Sequence, residues 1–329
     1  MDPEKALVTV GVPVYNGERY LEQCLDSLLS QTYRNFVLVI SDNASTDRTQ
    51  EICGRYAKAD PRVRYHRNPV NIGLYGNFNR LLELVRTPYV KLASADDFWA
   101  PEMLADAMEQ MERDPSLALC HPRAVLVGED GGETRRYDKP LHVMEGDAAL
   151  RFKRVLNELA LVNQLMGVMR IDAVRSMLPF TNNTDADVVF MAELSLYGKI
   201  MELPKYQYFR RFHEACSSWD RKSETHQVKA VFRAGTRRIY LPTWKHHWGL
   251  MRRVLRSPLR PGAKLELLCF LGRRAVWDRS ALLRNAASCF GRPKRTETGP
   301  GAGNPRPPAR ASGRTTTALR RTRGRLPPR

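Results

Sequence analysis

Polar side chains cluster at four places where an apolar, β-rich run of the chain ends. The four segments are PVYNG at 13–17, SDNASTD at 41–47, NPVNIG at 68–73 and SADDFW at 94–99. Ligands of open α/β sheets bind beyond the carboxyl ends of the strands, so these segments hold candidate ligand contacts. The last segment places two adjacent carboxylates, Asp96 and Asp97, on one loop. Hard divalent cations prefer such oxygen ligands.

No glycine-rich phosphate cradle follows the first run, because neither G-x-G-x-x-G nor G-x-x-x-x-G-K-[ST] is present there. This disfavours dehydrogenases and P-loop enzymes. A nucleotide diphosphate would then need another source of positive charge, and Mg²⁺ or Mn²⁺ held by Asp96 and Asp97 would supply it. The same two acids could instead form a helix N-terminal cluster ahead of Pro101, and the residues alone leave both interpretations open.

Strand-like and helix-like segments alternate through the first half of the chain. The expected strands are 7–14, 36–41, 63–66 and 89–92, and the expected helices are 17–30, 47–59, 75–85 and 101–113. Right-handed crossovers between them predict an α/β fold with a mostly parallel central sheet and helices on both faces. Later elements are a strand at 117–127, a helix near 146–161, an amphipathic helix at 187–197 and a short strand at 199–203.

Composition indicates a globular protein. The chain has 329 residues, of which 43% are hydrophobic, so it can bury a substantial core. Its six cysteines are scattered without a C-x-x-C pair, which suggests neither a zinc site nor a disulfide framework and fits a reducing cytoplasm. The N-terminus lacks a charged-then-apolar leader, and no stretch reaches the roughly 18 apolar residues of a membrane span. We therefore expect neither secretion nor membrane spanning.

The net charge of +18 lies entirely in the C-terminal part. Residues 1–204 carry 23 basic and 29 acidic side chains, residues 205–290 carry 19 and 5, and residues 291–329 carry 11 and 1. Such asymmetry predicts an anionic partner, either phospholipid headgroups or nucleic acid, unless the tail only aids solubility. The acidic front half and the strand-end carboxylates argue against nucleic acid.

The C-terminal part divides into two predicted regions. Residues 216–290 are expected to form basic helices, which either pack on the domain or lie on a bilayer. Residues 291–329, rich in Pro, Gly, Arg and Thr, are expected to be disordered because they cannot bury enough apolar surface.

The strand-end motifs resemble those of the family 2 glycosyltransferases, which are inverting enzymes with the type A, Rossmann-like nucleotide-sugar-binding fold. VTVGVPVYNGERYL and CLDSLLSQTY are similar to that family's first strand and helix. SDNASTD, NIG and ASADDFW resemble its base-reading, nucleotide-lining and metal segments. The resemblance covers about residues 7–215. It implies a catalytic domain over 1–215, with a nucleotide-sugar half at about 1–100 and an acceptor half at about 101–215.

The resemblance also implies a role for each matching residue. The implied nucleotide contacts are Pro13, Val14, Tyr15, Asn16, Asp42, Asn71, Gly73, Asn77 and Asp96. The implied metal ligands are Asp97 and Asp96, with His213 as a further candidate, and Arg210 and Arg211 are placed at the diphosphate. Asp187 is the expected general base, with Asp185 as the fallback.

The implied activity is metal-dependent transfer of a sugar from a nucleotide-diphosphate sugar to a hydroxyl acceptor. UDP is the expected nucleotide, with thymidine or guanosine diphosphate as alternatives. The expected acceptor is a saccharide or a lipid-linked molecule of cell-envelope polysaccharide, lipopolysaccharide or glycolipid synthesis. The enzyme is expected in the cytoplasm, peripheral on the inner face of the cytoplasmic membrane.

Two departures from the family pattern matter. Ser94 stands where many relatives carry the first Asp of D-x-D-D. The Gln-x-x-Arg-Trp motif and membrane spans of processive synthases are also missing, which favours a single-transfer enzyme.

Two alternative functions remain from the sequence. A sugar-phosphate nucleotidyltransferase would need a glycine-rich, basic N-terminal loop, which residues 15–19 do not form. A degenerate membrane-surface scaffold is disfavoured because Asp42, Asp96, Asp97 and Asp187 are all retained.

Overall fold

The computed structural model describes residues 6–177, 179–181, 183, 185–213 and 241–290. The predicted tail at 291–329 and the start of the predicted C-terminal helical region, up to residue 240, lie outside these residues. The described residues belong to one compact unit that ends at Phe290.

The first half of the chain alternates strands and helices as the sequence predicts. The strands are β1 (Val8–Val14), β2 (Phe36–Asp42), β3 (Val63–Arg67) and β4 (Tyr89–Leu92), and the helices are α1 (Leu21–Leu29), α2 (Thr49–Ala59) and α3 (Leu74–Leu84). The four strands pair in parallel, in the order β3-β2-β1-β4. Their carboxyl ends therefore meet at one edge of the sheet, as the predicted ligand contacts require.

The second half extends the same sheet with strands of both directions. Its elements are β5 (Phe98–Trp99), α4 (Met103–Arg113), β6 (Leu117–Val127), β7 (Glu133–Arg136), α5 (Ala148–Glu158), β8 (Val168–Arg170), α6 (Ile171–Ser176), α7 (Ala186–Tyr197) and β9 (Lys199–Arg211). The order continues β4-β8-β6-β9-β5, with β7 on β6, and β9 is parallel to β6 but antiparallel to β5. The α/β class is confirmed, and every antiparallel pair includes at least one strand of this half.

Strand β9 is much longer than the predicted 199–203, so that boundary was wrong. Pro204 lacks a backbone N–H and made the strand look interrupted. The structure accommodates it at a register shift, where the four steps along β9 from Glu202 to Tyr206 face only two steps along β6, from His121 to Arg123. Because the strand continues beyond this bulge, it carries Arg210 and Arg211 to the edge of the sheet.

Buried apolar side chains form two clusters, which are built from different helices. One cluster holds residues of α1, α2 and α4, and the other holds residues of α3 and α5–α7. Gly11 in β1 allows the second packing, because a Cβ there would lie 2.2 Å from a methyl carbon of Leu81 on α3. A side chain at position 11 would push α3 away from the sheet.

Three further helices follow the undescribed segment: α8 (Pro242–Arg256), α9 (Pro261–Trp277) and α10 (Arg279–Phe290). Leu250 and Val254 of α8, with Leu267 and Leu271 of α9, are fully buried in the same cluster as α7. Of the two predicted arrangements for these helices, packing on the domain is what the structure contains. Within the described residues, no helix is both long and apolar enough to cross a membrane.

Helix α7 is not amphipathic, contrary to the prediction. Its residues from Val189 to Leu196 are all buried. The reason is that α5 packs on one part of its surface and α8 on another, so the helix has little surface left for solvent. A helix buried around its circumference is held firmly in position.

Candidate active site

A cavity of about 180 Å³ joins residues that are far apart in the sequence. Its lining includes six of the predicted site residues, which are Pro13, Asp96, Asp97, Asp187, Arg210 and Arg211. The structure therefore brings the predicted general base, metal loop and diphosphate arginines to one place.

Asp97 is buried, and each of its carboxylate oxygens accepts a hydrogen bond from β9. Its Oδ2 accepts a hydrogen bond from the Tyr208 hydroxyl at 2.6 Å, and its Oδ1 accepts one from the Arg211 backbone N–H at 2.8 Å. Burial raises the pKa of Asp97 to about 6, although these hydrogen bonds oppose the shift. Asp97 thus ties the loop to β9.

Asp96 is the more accessible carboxylate of the pair. Its Oδ2 lies 3.3 Å from Nε2 of His213, and this buried nitrogen makes no hydrogen bond. An unsatisfied imidazole nitrogen facing a carboxylate oxygen fits a divalent cation, since both atoms are common metal donors. The alternative that the two acids cap a helix is not supported, because β5 separates them from α4.

The two arginines differ in what they bind. Nε of Arg211 donates to the Asp96 carbonyl at 3.0 Å, and its Nη1 donates to the carbonyls of Gly128 and Glu129 at 3.1 and 2.7 Å. Its guanidinium therefore holds two loops together. Arg210 is partly exposed, and its Nη1 donates to Oδ1 of Asn163 at 2.6 Å.

Asp187 and Asp185 stand at the start of α7 in different surroundings. Asp187 is in the first turn and lines the cavity. Asp185 occupies the N-cap position, and its Oδ2 lies 3.5 Å from Nδ1 of His246 on α8. Asp185 is not among the residues that line the cavity.

Asp42 is completely buried at the end of β2. Its Oδ1 accepts the Ser45 backbone N–H at 2.8 Å, and its Oδ2 accepts both the Tyr65 hydroxyl at 2.7 Å and Nη1 of Arg67 at 2.5 Å. Val14, Asp42 and Arg67 are in register across three neighbouring strands. Arg67 remains partly exposed beside the carboxylate, whereas Val14 is buried in the core.

Three other predicted nucleotide contacts shape the loop before α3. Asn77 is buried, and its Oδ1 accepts the Ser41 hydroxyl at 2.7 Å while its Nδ2 donates to the Ser41 carbonyl at 2.8 Å. Asn71 Oδ1 accepts from the backbone N–H of Gly73 at 2.8 Å. Gly73 has a φ of 83°, a left-handed conformation that favours glycine. These residues hold the loop rather than lining the cavity.

The loop after β1 is bound to the loop after β2. Asn16 Oδ1 accepts the Thr46 backbone N–H at 2.8 Å, and the Asn16 backbone N–H donates to the Ser45 hydroxyl at 2.9 Å. Tyr15, in the same loop, exposes about half of its surface, so its ring is accessible to a ligand. Trp99 is instead buried against Tyr208, with ring centroids 5.6 Å apart.

Sequence reasoning missed four residues that bind the predicted ones. They are Tyr65, Arg67, Asn163 and Tyr208. The sequence pattern could have indicated the first two, because residues 65 and 67 are two positions apart on β3 and therefore lie on the same face of the sheet. Asn163 and Tyr208 carried no such signal, since neither position follows from the local pattern.

The described side chains offer few donors for a metal ion. Across the part of the chain that the structure describes, no three His, Cys, Asp or Glu side chains group together as a metal site. Among the described side chains two donors fit, Asp96 and His213, and oxygens of substrate or water could add to them.

Comparison with known proteins places these features in a family. A model of glycosyl transferase family 2 matches residues 9–178, which is more than half of the chain. The Bacillus subtilis (strain 168) protein TuaG, named for teichuronic acid biosynthesis, is 33% identical over 142 residues, which are 43% of this chain and 54% of TuaG. The chain spans about a third to a half of the length of several other curated relatives that it matches.

Two solved structures share the fold at low sequence identity. Staphylococcus aureus TarS 1–349 in complex with UDP-GlcNAc is 17% identical with a TM-score of 0.60, covering 85% of this chain and 80% of TarS. The mannosyltransferase PcManGT from Pyrobaculum calidifontis, in complex with GDP-Man and Mn²⁺, is 17% identical with a TM-score of 0.50, covering 86% and 74%. The family match over more than half of the chain shows that this chain belongs to glycosyl transferase family 2.

Proposed function

We propose that the chain transfers a sugar, with inversion, from a nucleotide-diphosphate sugar to an acceptor hydroxyl. The observation that carries this proposal is the cavity that Asp187, Asp96 and Arg210 all line. Inversion by direct displacement needs a carboxylate to accept the hydroxyl proton and positive charge to stabilise the departing diphosphate. Asp187 and Arg210 are suited to these two roles.

Mg²⁺ or Mn²⁺ is the proposed cofactor, with Asp96 and His213 as the residues that would hold it. A bound cation would neutralise the diphosphate as it leaves. The Mn²⁺ complex of PcManGT supports the choice of ion, and the unsatisfied Nε2 of His213 supports the place. Asp97, whose two oxygens accept hydrogen bonds from Tyr208 and from the Arg211 backbone, would fix the loop rather than bind the ion.

UDP is the proposed nucleotide because the TarS structure contains UDP-GlcNAc. GDP is the alternative to be tested, because the PcManGT structure contains GDP-Man. The proposed acceptor belongs to the cell envelope, which the name of TuaG supports. We further propose that the protein works in the cytoplasm, at the inner face of the membrane.

Binding and turnover together test the proposal. UDP-GlcNAc, UDP-glucose and GDP-mannose are titrated into the wild type and into Asp96→Asn, Asp187→Asn and Glu109→Gln, with Mn²⁺ or EDTA. Glu109 is an exposed acid of α4 and serves as the matched control. We expect Asp96→Asn to lose metal-dependent donor binding, and Asp187→Asn to keep it while losing about 10²-fold or more in turnover. Donor binding that is equal in EDTA and Mn²⁺, or full turnover by Asp187→Asn, would refute these assignments.

A further inference from the structure

Three of the four tryptophans in the described part of the chain are exposed, and all three lie on the C-terminal helices. Trp244 and Trp248 on α8 expose 49% and 66% of their surface, and Trp277 at the end of α9 exposes 75%. Leu255 on α8 exposes 53%. At about 100° per residue, Trp244, Trp248 and Leu255 fall within about 40° of one another around α8. They form one line along α8.

Helix α10 lies beside this line. The indole Nε1 of Trp244 donates a hydrogen bond of 3.0 Å to the carbonyl of Leu282, and the next residue, Leu283, exposes 68% of its surface. We call Trp244, Trp248, Leu255, Trp277 and Leu283 the aromatic face. Single exposed apolar residues are normal, but such a group on neighbouring helices marks an interaction surface.

The charge around the aromatic face is strongly positive. Residues 241–290 contain ten basic and two acidic side chains. Lys245, Arg252 and Arg256 are exposed on α8, and Arg284 is exposed on α10. The partner must therefore offer negative charge together with a region that takes up apolar rings. An anionic bilayer has both, because tryptophan rings settle at the headgroup level while arginine and lysine meet the lipid phosphates.

The opposite side of α8 is committed to the protein. Leu250, Arg253 and Val254 are buried there, and Arg253 forms an ion pair with Glu193 of α7, with Nε 2.6 Å from Oε2. The helix can therefore meet a membrane without leaving the fold. His246, between the two tryptophans of α8 in sequence, contacts Asp185, two residues before the proposed general base.

We propose that the aromatic face docks on an anionic lipid surface and thereby brings the start of α7 close to the headgroups. The proposed docking depends only on the exposed tryptophan rings and on the positive charge of residues 241–290. Its consequence, that the acceptor is presented at the membrane surface, rests on the proposed transferase function.

The test is flotation of the full chain with vesicles of phosphatidylcholine, with or without phosphatidylglycerol. The variants are Trp248→Ser/Trp277→Ser, Arg252→Gln/Arg256→Gln and, as a matched control, Leu150→Ser, which removes an exposed apolar side chain from α5. We expect wild-type and control protein to bind the anionic vesicles only, with both double variants at least about tenfold weaker.

Three outcomes would overturn the proposal: equal binding to both vesicle types, binding to neither, or binding unchanged in the tryptophan variant. Retention on RNA in place of vesicles would count against it as well. Thermal unfolding checks that each variant is folded. Donor binding measured on the same samples separates the two proposals, because the double variants should bind UDP-GlcNAc as the wild type does.

Discussion

Arg67 closes the end of β2 around Asp42, a carboxylate that no solvent reaches. The sequence assigned base reading to Asp42, yet both of its oxygens already accept hydrogen bonds within the fold. Arg67 is the partly exposed member of this group, and its guanidinium is a hydrogen-bond donor. We therefore expect Arg67 to face a carbonyl on the base, and Asp42 to hold Arg67 in place.

Replacement of Arg67 by Met should weaken UDP binding by about tenfold, because one charge-assisted hydrogen bond is lost. Tyr65→Phe removes a hydrogen bond to the Asp42 carboxylate but leaves Arg67 in place, so it should change the UDP affinity less than threefold. Isothermal titration with UDP in Mn²⁺ measures both. If Tyr65→Phe weakens binding as much as Arg67→Met does, the arginine has no special role at the base.

The burial of Lys91 should make the stability of the protein depend on pH. This lysine is fully buried in β4, where its Nζ donates to the Leu92 carbonyl at 3.3 Å and lies 3.7 Å from the centroid of the Trp99 ring. Burial lowers the pKa of Lys91 to about 7. An unfolded lysine has a pKa of about 10.4, so unfolding between pH 7 and pH 10 takes up a proton.

The free energy of unfolding should therefore rise with pH through this window, by at most about 1.4 kcal/mol per pH unit from Lys91. Lys91→Met removes this contribution, so it should stabilise the protein at pH 7 more than at pH 9. Urea unfolding of both proteins at the two pH values gives the difference in their free energies of unfolding. Because both proteins have the same cysteines, the contribution of thiol titration cancels in that difference. A stability difference independent of pH would show that Lys91 keeps its charge in the folded state.

At the scale of the elements, the early strands could be predicted closely because their apolar, β-branched runs end at polar loop residues. β1 and β4 match the expected bounds within a residue. The continuation of β9 could not be predicted, since Pro204 breaks the local pattern and only pairing with β6 restores the strand. The cavity depended on that continuation, because Tyr208 and Arg210 lie beyond the bulge.

The buried side of α8 could not be predicted from the sequence either, because it includes a charged residue, Arg253. Arg253 and Glu193 are each only 1% exposed and join α8 to α7. Removing one partner of a buried ion pair costs about 3–5 kcal/mol, whereas replacing both by apolar residues is often neutral. This pair therefore couples the C-terminal helices to the helix that begins beside Asp187.

We expect Arg253→Met to lower the free energy of unfolding by about 3 kcal/mol, and Arg253→Met/Glu193→Met to recover most of that loss. The single variant should also reduce kcat while leaving the affinity for UDP unchanged, since α7 carries Asp187 but not the nucleotide contacts. Urea unfolding, titration with UDP and turnover measure the three quantities. A double variant as unstable as the single one would mean that packing, not charge, is what Arg253 contributes.

For the molecule as a whole, the sequence shows that the positive charge is C-terminal, but it could not predict where the basic helices lie in the fold. The basic helices were expected either on the domain or on a bilayer, and their buried leucines belong to the domain core. Their exposed tryptophans still leave a surface that could meet lipid. Both expectations could apply because a helix has two sides, and burial on one of them depends on partners distant in sequence.

Leu250 and Leu267 share one buried cluster with Phe190 of α7 and Leu81 of α3, so the C-terminal helices and the nucleotide half should unfold together. Differential scanning calorimetry of the full chain should show one transition for the described unit, with equal calorimetric and van't Hoff enthalpies. UDP with Mn²⁺ at 100 times its Kd should stabilise that whole transition by about 2.7 kcal/mol. Two transitions, of which only one responds to the nucleotide, would mean that α8–α10 form a separate folding unit. The coupling between Arg253 and the active-site helix would then be too weak to affect turnover.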